Sequence, residues 1–230
     1  MGTVLGAWIS LGYGVGRGLR NVTIALIAGG GAVFAEPVTI VALGDSLTAG
    51  YGLPAEQGFV PVLEAWLQAK GADVEVQNAG VSGDTTAGGL ARVAWAMGDD
   101  ADAVIVTLGG NDMLRGLDPA ASKAALDGIL KDVQGRGLPV LLVGIQALGN
   151  YGPEYRAAFD GMYGDLAGKY DTLLAPSFFD GLYAAGGDFA DPATLAPYMQ
   201  ADGIHPNADG VARIVEALGP RVLDLIARVN

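Results

Sequence analysis

Short runs of apolar residues alternate with longer amphipathic stretches along the chain from residue 36 onwards. Aliphatic and β-branched runs predict buried strands, whereas an apolar stripe with the helical period predicts a helix. We expect strands at 38–43, 73–77, 103–108, 139–145 and 172–175. We expect helices at 59–70, 85–97, 119–134, 155–169 and 207–218, the last continued over 221–229 after a break at Gly219-Pro220.

Strands that alternate with helices in this way predict βαβ units and a parallel sheet. The strands are almost wholly apolar, which is typical of a sheet covered by helices on both faces. No internal repeat or low-complexity linker divides the chain after residue 36, so we predict one domain over residues 36–230. The irregular segment 178–201 favours loops packed over the sheet, and Trp66 and Trp95 lie on helical stripes that we expect in the core.

The first 35 residues have a different character. Arg17 and Arg20 precede an uncharged stretch, 22–34, which is followed by Ala35. A basic flank, a short apolar core and small residues at the end are typical of a secretory signal peptide. We expect residues 1–35 to be removed, with export to the periplasm or the medium. The alternatives are an uncleaved membrane anchor and a wrongly assigned start codon.

Composition narrows the possible functions. The 230 residues are 51% apolar, which is enough for a sizeable core. The formal charge of −12 disfavours nucleic acid and anionic lipid as partners, because both carry negative charge. The chain has no cysteine, which excludes a disulfide, a thiol nucleophile and a cysteine-ligated metal.

Three of the predicted strands are followed by segments rich in glycine and small polar residues. These segments are Gly-Asp-Ser-Leu-Thr at 44–48, Asn-Ala-Gly-Val-Ser-Gly-Asp-Thr at 78–85 and Gly-Gly-Asn-Asp at 109–112. Ligands of open parallel sheets bind beyond the carboxyl ends of the strands. If the first strand lies between the second and the third, all three segments face one crevice.

The chain has a single histidine, His205, within Asp-Gly-Ile-His-Pro at 202–206. A serine hydroxyl becomes a good nucleophile when a base takes its proton, and a neutral imidazole is such a base near pH 7. Asp202, on a glycine-containing turn, is placed to reach the ring and fix its tautomer. A lone histidine is more often a packed or surface residue, but the neighbouring aspartate and the three glycine-rich segments favour catalysis.

These four segments make the chain resemble the SGNH hydrolases, also called GDSL esterases or lipases. It looks most like their branch of exported bacterial arylesterases and acyl thioesterases with lysophospholipase activity. The matching motifs are Gly-Asp-Ser-Leu at 44–47, Ser-Gly-Asp-Thr at 82–85, Gly-Gly-Asn-Asp at 109–112 and the histidine segment. The resemblance implies a flavodoxin-like three-layer α/β/α sandwich, with a five-stranded parallel sheet in the order 2-1-3-4-5. It implies no metal and no organic cofactor.

The resemblance also assigns roles to individual residues. Ser46 matches the nucleophile, and Asp202 and His205 match the acid and the base. The backbone N–H groups of Ser46 and Gly83 and the side chain of Asn111 match the oxyanion hole, whose donors stabilise the charge of the tetrahedral intermediate. The expected substrate-binding residues are Leu47, Asn150 and Tyr151.

The implied activity is hydrolysis of carboxylic esters or thioesters, with small acyl esters, thioesters or lysolipids as substrates. The loops 47–59, 113–117 and 146–155 would shape the acyl groove. We expect no nucleic-acid partner, no stable membrane insertion once the signal peptide is removed, and a monomer. The chain lacks the second glycine of the G-x-S-x-G nucleophile elbow, which disfavours an ordinary α/β-hydrolase.

Other interpretations of the same residues remain open. A carbohydrate acetylesterase could use the same fold with a shallow polar cleft, and a non-catalytic binding module could retain the motifs. Asp45, Asp84 and Asp112 could hold a metal in a phosphohydrolase, although loop-tying hydrogen bonds to backbone N–H groups suit them better. Ser46 could merely cap a turn, and Gly83 and Asn111 could be turn residues.

Overall fold

The computed structural model describes residues 36–229; the predicted signal peptide lies outside the described residues. One parallel sheet of five strands runs through it in the order β2-β1-β3-β4-β5, which confirms the predicted order. The strands are β1 (Val38–Gly44), β2 (Val74–Gly80), β3 (Ala103–Thr107), β4 (Val140–Val143) and β5 (Leu173–Ala175).

Helices cover both faces of the sheet and complete the expected three layers. They are α1 (Ser46–Ala49), α2 (Phe59–Ala69), α3 (Thr86–Ala96), α4 (Gly110–Leu114), α5 (Pro119–Gly135), α6 (Pro153–Tyr170), α7 (Asp180–Ala184), α8 (Pro192–Leu195) and α9 (Ala208–Ile226). α2 and α7 pack against α9, and α5 packs between α3 and α6. None of the helices in the described part of the chain combines the length and apolarity that a membrane span requires.

Strand β1 is buried along almost its whole length because it lies between β2 and β3. Its register pairs Gly44 with Gly80 on one side and with Thr107 on the other. The chain therefore leaves β1, β2 and β3 at one level of the same sheet edge. This geometry brings the three glycine-rich segments together, as the sequence predicted.

Helix α9 is continuous through Pro220, so the predicted break at Gly219-Pro220 is wrong. A proline inside a helix loses one backbone hydrogen bond and costs about 3 kcal/mol. The helix buries Leu218 and Val222 on either side of the proline, and burial of side chains of this size contributes about 1.5–3 kcal/mol each. A Cβ on Gly219 would lie 2.4 Å from the ring of Trp66, so the glycine permits close packing against α2.

Three further expectations need correction. Trp95 is 83% exposed, because α3 turns Val93 and not the indole towards the core. Strand β2 continues to Gly80, three residues beyond the predicted end, since it pairs with β1 over its full length. The segment 178–201 contains the short helices α7 and α8 as well as loops.

Candidate active site

Ser46 is the first residue of α1, directly beyond the carboxyl end of β1. Two glycines let this short helix lie on the edge of the sheet: a Cβ on Gly44 would be 2.0 Å from Oγ1 of Thr48, and one on Gly80 would be 2.4 Å from the backbone nitrogen of Ala49. Asp45 caps the helix, with its Oδ1 accepting a hydrogen bond from the Leu47 N–H at 3.0 Å. The sequence therefore holds the Ser46 backbone in one conformation.

The side chains of Ser46, His205 and Asp202 form one hydrogen-bonded row. Nε2 of His205 lies 2.9 Å from Oγ of Ser46, and Nδ1 lies 2.7 Å from Oδ2 of Asp202. When Nδ1 carries its proton and donates it to the carboxylate, the lone pair of Nε2 faces the hydroxyl. The arrangement can thus take a proton from Ser46 and stabilise the resulting imidazolium.

The carboxylate of Asp202 is held by the turn that carries the histidine. Its Oδ1 accepts hydrogen bonds from the backbone N–H groups of Ile204 at 2.9 Å and His205 at 3.0 Å. Burial opposes ionisation of Asp202, but the hydrogen bonds from the His205 ring and from these two N–H groups outweigh it and lower its pKa to about 2. Asp202 is therefore a carboxylate across the pH range in which enzymes ordinarily work.

Tyr51 packs its ring against the imidazole, with 4.6 Å between the ring centroids. Tyr51 belongs to the loop 47–59 that was expected to shape the acyl groove, but its contact with the histidine was not predicted, because nothing in the local pattern indicates that this loop reaches the histidine turn. The contact covers one face of His205 and limits the rotation of the ring.

Asn111 lies in the first turn of α4, where its Nδ2 donates a hydrogen bond to Oδ2 of Asp45 at 3.2 Å. One amide hydrogen is thereby occupied, which orients the other. Gly109 adopts a φ of 122° at the start of α4, and a Cβ there would be 2.2 Å from the hydroxyl of Tyr163. Glycine at this position allows β3 to turn into α4 and sets the position of Asn111.

Gly83 also requires its glycine, because its φ is 83° in the left-handed region. The guanidinium of Arg115 donates a hydrogen bond to the Gly83 carbonyl oxygen at 2.8 Å. Arg115 follows α4, so this bond connects the loops that contain the two expected oxyanion donors, Gly83 and Asn111. The bond fixes the orientation of one peptide group of the Gly83 loop.

Asp45 is 2% exposed and belongs to the same network. Burial raises its pKa to about 6, although the hydrogen bonds from the Leu47 N–H and the Asn111 side chain act in the opposite direction. The sequence predicted that Asp45 connects loops through hydrogen bonds to backbone N–H groups. The structure adds that one of the groups it ties is the side chain of Asn111.

An apolar cavity opens beside Ser46. Its empty volume is about 630 Å³, counting space open to solvent, and its walls also include Asp45, Asn111 and His205. The apolar part of the wall is formed chiefly by Leu47, Met113, Ile145, Phe179, Phe189 and Ile204. The sequence identified the loops that carry Leu47 and Met113 as groove-forming. It did not identify Phe179 and Phe189, whose only signal was the scattered aromatic residues of the segment 178–201.

The other expected substrate-binding residues lie farther along the same edge. Asn150 and Tyr151 belong to a short 3-10 helix, Gly149–Tyr151. Asn150 lines a second, more polar cavity that shares Leu148 and Phe189 with the cavity beside Ser46. The hydroxyl of Tyr151 donates a hydrogen bond to the carbonyl oxygen of Leu114 at 3.3 Å. Their role in binding substrate stays a prediction.

The remaining acidic residues of the motifs have protein partners. Asp84 forms an ion pair with Arg92 at 2.7 Å. Oδ1 of Asp112 accepts hydrogen bonds from the hydroxyls of Thr86 at 2.6 Å and Ser122 at 2.8 Å. Over residues 36–229, no group of three or more acidic or histidine side chains is arranged to hold a metal ion. These contacts tie the loops of the site together.

The chain is similar to known proteins along most of its length. The model of the GDSL-like Lipase/Acylhydrolase family matches residues 42–213. Esterase TesA of Pseudomonas aeruginosa is 40% identical over 82% of this chain and 89% of that protein. Thioesterase 1/protease 1/lysophospholipase L1 of Escherichia coli is 37% identical over 82% of this chain and 85% of that protein. The crystal structure of AlinE4, an SGNH-hydrolase family esterase, aligns with a TM-score of 0.66 at 42% identity, covering 83% of this chain and 97% of that chain.

Proposed function

The chain belongs to the GDSL-like lipase/acylhydrolase family, the SGNH hydrolases, and is an ester hydrolase; we propose that it acts through an acyl-enzyme on Ser46. The observation that carries this proposal is the unbroken row from Ser46 Oγ through the His205 ring to the Asp202 carboxylate, at 2.9 Å and 2.7 Å. The arrangement supplies a nucleophile, a base and a group that fixes the tautomer of the base.

In the first half of the reaction, Nε2 of His205 takes the proton of Ser46 as Oγ attacks the acyl carbonyl carbon. The negative charge that develops on the carbonyl oxygen is stabilised by the backbone N–H groups of Ser46 and Gly83 and by the amide of Asn111. Loss of one such donor typically costs about 10²–10³-fold in turnover. Asp202, kept ionised by its low pKa, stabilises the imidazolium.

The intermediate then collapses, and His205 gives its proton to the departing alcohol or thiol. An acyl group remains esterified to Ser46. Water enters, loses a proton to the same Nε2, and attacks the acyl carbon, so that the acid is released and the serine hydroxyl is restored. Each proton taken by His205 is returned within the same half-reaction.

The cavity supports an acyl chain as the group that is bound. Its apolar wall beside Ser46 suits the aliphatic part of a short or medium acyl group. Each methylene group that moves from water into such a cavity stabilises the complex by about 0.8 kcal/mol. Relatives named esterase, thioesterase and lysophospholipase are compatible with such an acyl site that tolerates different leaving groups. A carbohydrate acetylesterase would require a shallow polar cleft, which this apolar cavity does not favour.

We further propose that the protein is exported and acts as a monomer in the periplasm or the medium. Residues 1–35 supply the signal peptide and residues 36–230 the hydrolase domain. The intact mass of the exported protein tests the cleavage site. A mature N-terminus far from Glu36 would contradict it.

The experiment that tests the function compares Ser46→Ala and His205→Ala with the wild type on p-nitrophenyl butyrate. Both variants should lose turnover, and Ser46→Ala should also lose labelling by a fluorophosphonate probe. Ser82→Ala is the matched control, because Ser82 is an exposed serine in a neighbouring loop with no contact to His205. Retained turnover in Ser46→Ala would refute the proposal.

The substrate class is tested with esters of increasing acyl length on the purified hydrolase domain. The apolar cavity predicts higher kcat/KM for butyryl to octanoyl esters than for acetyl esters. A preference for acetyl groups alone would favour the carbohydrate acetylesterase.

A further inference from the structure

The turn that carries His205 is closed at its base. Met199 and Pro206 form an antiparallel bridge, and the backbone N–H of Gln200 donates to the carbonyl oxygen of His205 at 2.8 Å. The side chain of Gln200 adds a bond within the same turn, from Nε2 to the carbonyl oxygen of Pro206 at 3.0 Å. Gln200 therefore holds the two peptide groups that flank Pro206, through the carbonyl oxygens of His205 and Pro206.

The same Nε2 makes a second hydrogen bond that leaves the turn. It donates to the carbonyl oxygen of Tyr51 at 2.8 Å, although the two residues are 149 positions apart in the sequence. The N–H of Tyr51 in turn donates to the carbonyl oxygen of Ser46 at 3.1 Å. A single side chain thus connects the loop of the base to the loop of the nucleophile, through the backbone of one residue.

The neighbouring backbone leaves space for this side chain. Gly52 adopts a φ of 77°, and a Cβ at this position would lie 2.2 Å from Oε1 of Gln200. The ring of Tyr51, whose backbone the glutamine holds, is the one that packs against His205. The glycine, the tyrosine and the glutamine make a single contact region between the two loops.

We propose that Gln200 is a positioning residue for catalysis, which sets the distance between Nε2 of His205 and Oγ of Ser46 by bridging the two loops. The proposal rests on the function proposed above. Gln200 touches no reacting atom and does not line the cavity beside Ser46, so its effect falls on proton transfer and not on acyl binding.

Removal of the bridge leaves the histidine turn and the Ser46 loop in place but frees one to move relative to the other. A misplacement of about 1 Å between reacting groups can cost about 100-fold in rate. We expect kcat to fall by about 10- to 100-fold in Gln200→Glu and Gln200→Leu, with KM almost unchanged. Glutamate is the harsher change, because it turns a carboxylate towards two carbonyl oxygens.

Asn207→Asp is the matched control. Nδ2 of Asn207 donates to the carbonyl oxygens of Pro197 at 2.9 Å and Met199 at 3.3 Å, at the base of the same turn. Its Oδ1 caps α9 through the N–H of Gly210, which an aspartate preserves. Like Gln200→Glu, this control replaces an amide that donates to two carbonyl oxygens by a carboxylate. It differs in that Asn207 makes no hydrogen bond to the Tyr51 loop.

The experiment uses the mature protein, residues 36–230, and measures the final stoichiometry and the rate of its labelling by a fluorophosphonate, together with kcat and KM. The expected result is full stoichiometry in Gln200→Glu with a labelling rate reduced in the same proportion as kcat. Asn207→Asp should label at close to the wild-type rate per folded molecule. A purely structural role for Gln200 would instead lower the stoichiometry and leave the rate unchanged.

Two results would overturn the proposal. One is a wild-type labelling rate in the Gln200 variants, and the other is an equally slow rate in Asn207→Asp. Should Gln200→Glu not fold, Gln200→Leu decides by the same criteria. Ser46→Ala separates the two proposals: if it stays active, the proposed function fails, and if it is inactive while Gln200→Leu equals the wild type, only the bridge fails.

Discussion

Replacement of Asp45 by asparagine should change stability and catalysis in a pH-dependent way. The carboxylate is buried, and burial raises its pKa from the ordinary 3.8 to about 6. At 1.36 kcal/mol per unit of pKa, the folded protein disfavours ionised Asp45 by about 3 kcal/mol relative to the unfolded chain. A raised pKa of an acid means that its stabilising contribution is complete below about pH 4 and is lost as the pH rises through about 6.

Asparagine does not titrate, so Asp45→Asn escapes this loss. The free energy of unfolding of the variant, relative to that of the wild type at the same pH, should rise by about 2.5 kcal/mol between pH 4 and pH 7. Catalysis should change in the opposite direction. Asparagine places an N–H donor where Asp45 accepts from Leu47 or from Asn111, so the Asn111 amide loses its fixed orientation and kcat should fall by about 10- to 100-fold.

The assay is urea unfolding of both proteins at pH 4, 5.5 and 7, followed by kcat on a soluble ester at pH 7. Comparison of the two proteins at each pH cancels the titration of all other groups that the change leaves unaffected. A stability difference that stays constant with pH would refute the burial argument. An unchanged kcat would refute the orientation of Asn111 by Asp45.

Asp202→Asn should lower kcat on p-nitrophenyl butyrate by about 10²- to 10⁴-fold with little change in KM, because an amide neither holds the required tautomer of His205 nor stabilises its charged form. A wild-type kcat would contradict this. Phe189→Ala should connect the cavity beside Ser46 with the neighbouring one and shift the preference in kcat/KM from butyryl towards dodecanoyl esters; an unchanged ratio would argue against a wall there. Arg92→Met should reduce the free energy of unfolding by about 3 kcal/mol in urea, because it removes the partner of the Asp84 carboxylate and the donors to the carbonyl oxygens of Ala79 and Gly44; a loss below about 1 kcal/mol would show that these contacts are dispensable.

The strands could be predicted because their apolar runs are local in the sequence, whereas their order was implied by the resemblance to the SGNH hydrolases, since strand pairing is not local. Val38–Gly44 and Ala103–Thr107 are short apolar runs, and a strand of this kind removes its side chains from water only when both faces of the sheet are covered. The break expected at Pro220 was wrong because burial on both sides of the proline outweighs its local preference. The exposure of Trp95 was not predicted, because apolar residues at helical spacing do not by themselves indicate which side of the helix faces the sheet.

The proposed catalytic row could be predicted because the sequence has one histidine, His205, with Asp202 three residues before it, and because the resemblance assigns Ser46 as the nucleophile. The cavity wall could not be predicted to the same extent. Phe189 packs against Phe179 with ring centroids 5.0 Å apart, in a segment without helical or strand periodicity. Such contacts depend on how an irregular loop folds over the sheet, and the sequence gives no local signal for that.

The proposed nucleophile and the proposed base come from opposite ends of the hydrolase sequence, 159 residues apart. During synthesis, Ser46 leaves the ribosome long before His205. The histidine turn is followed directly by α9, the helix that packs against α2. A nascent chain that contains only the first strands has a hydroxyl with no base, so it is inert towards esters and fluorophosphonates. On the proposed mechanism, probe labelling of Ser46 requires that the last helix has docked, so we expect the labelled fraction to measure completed folding.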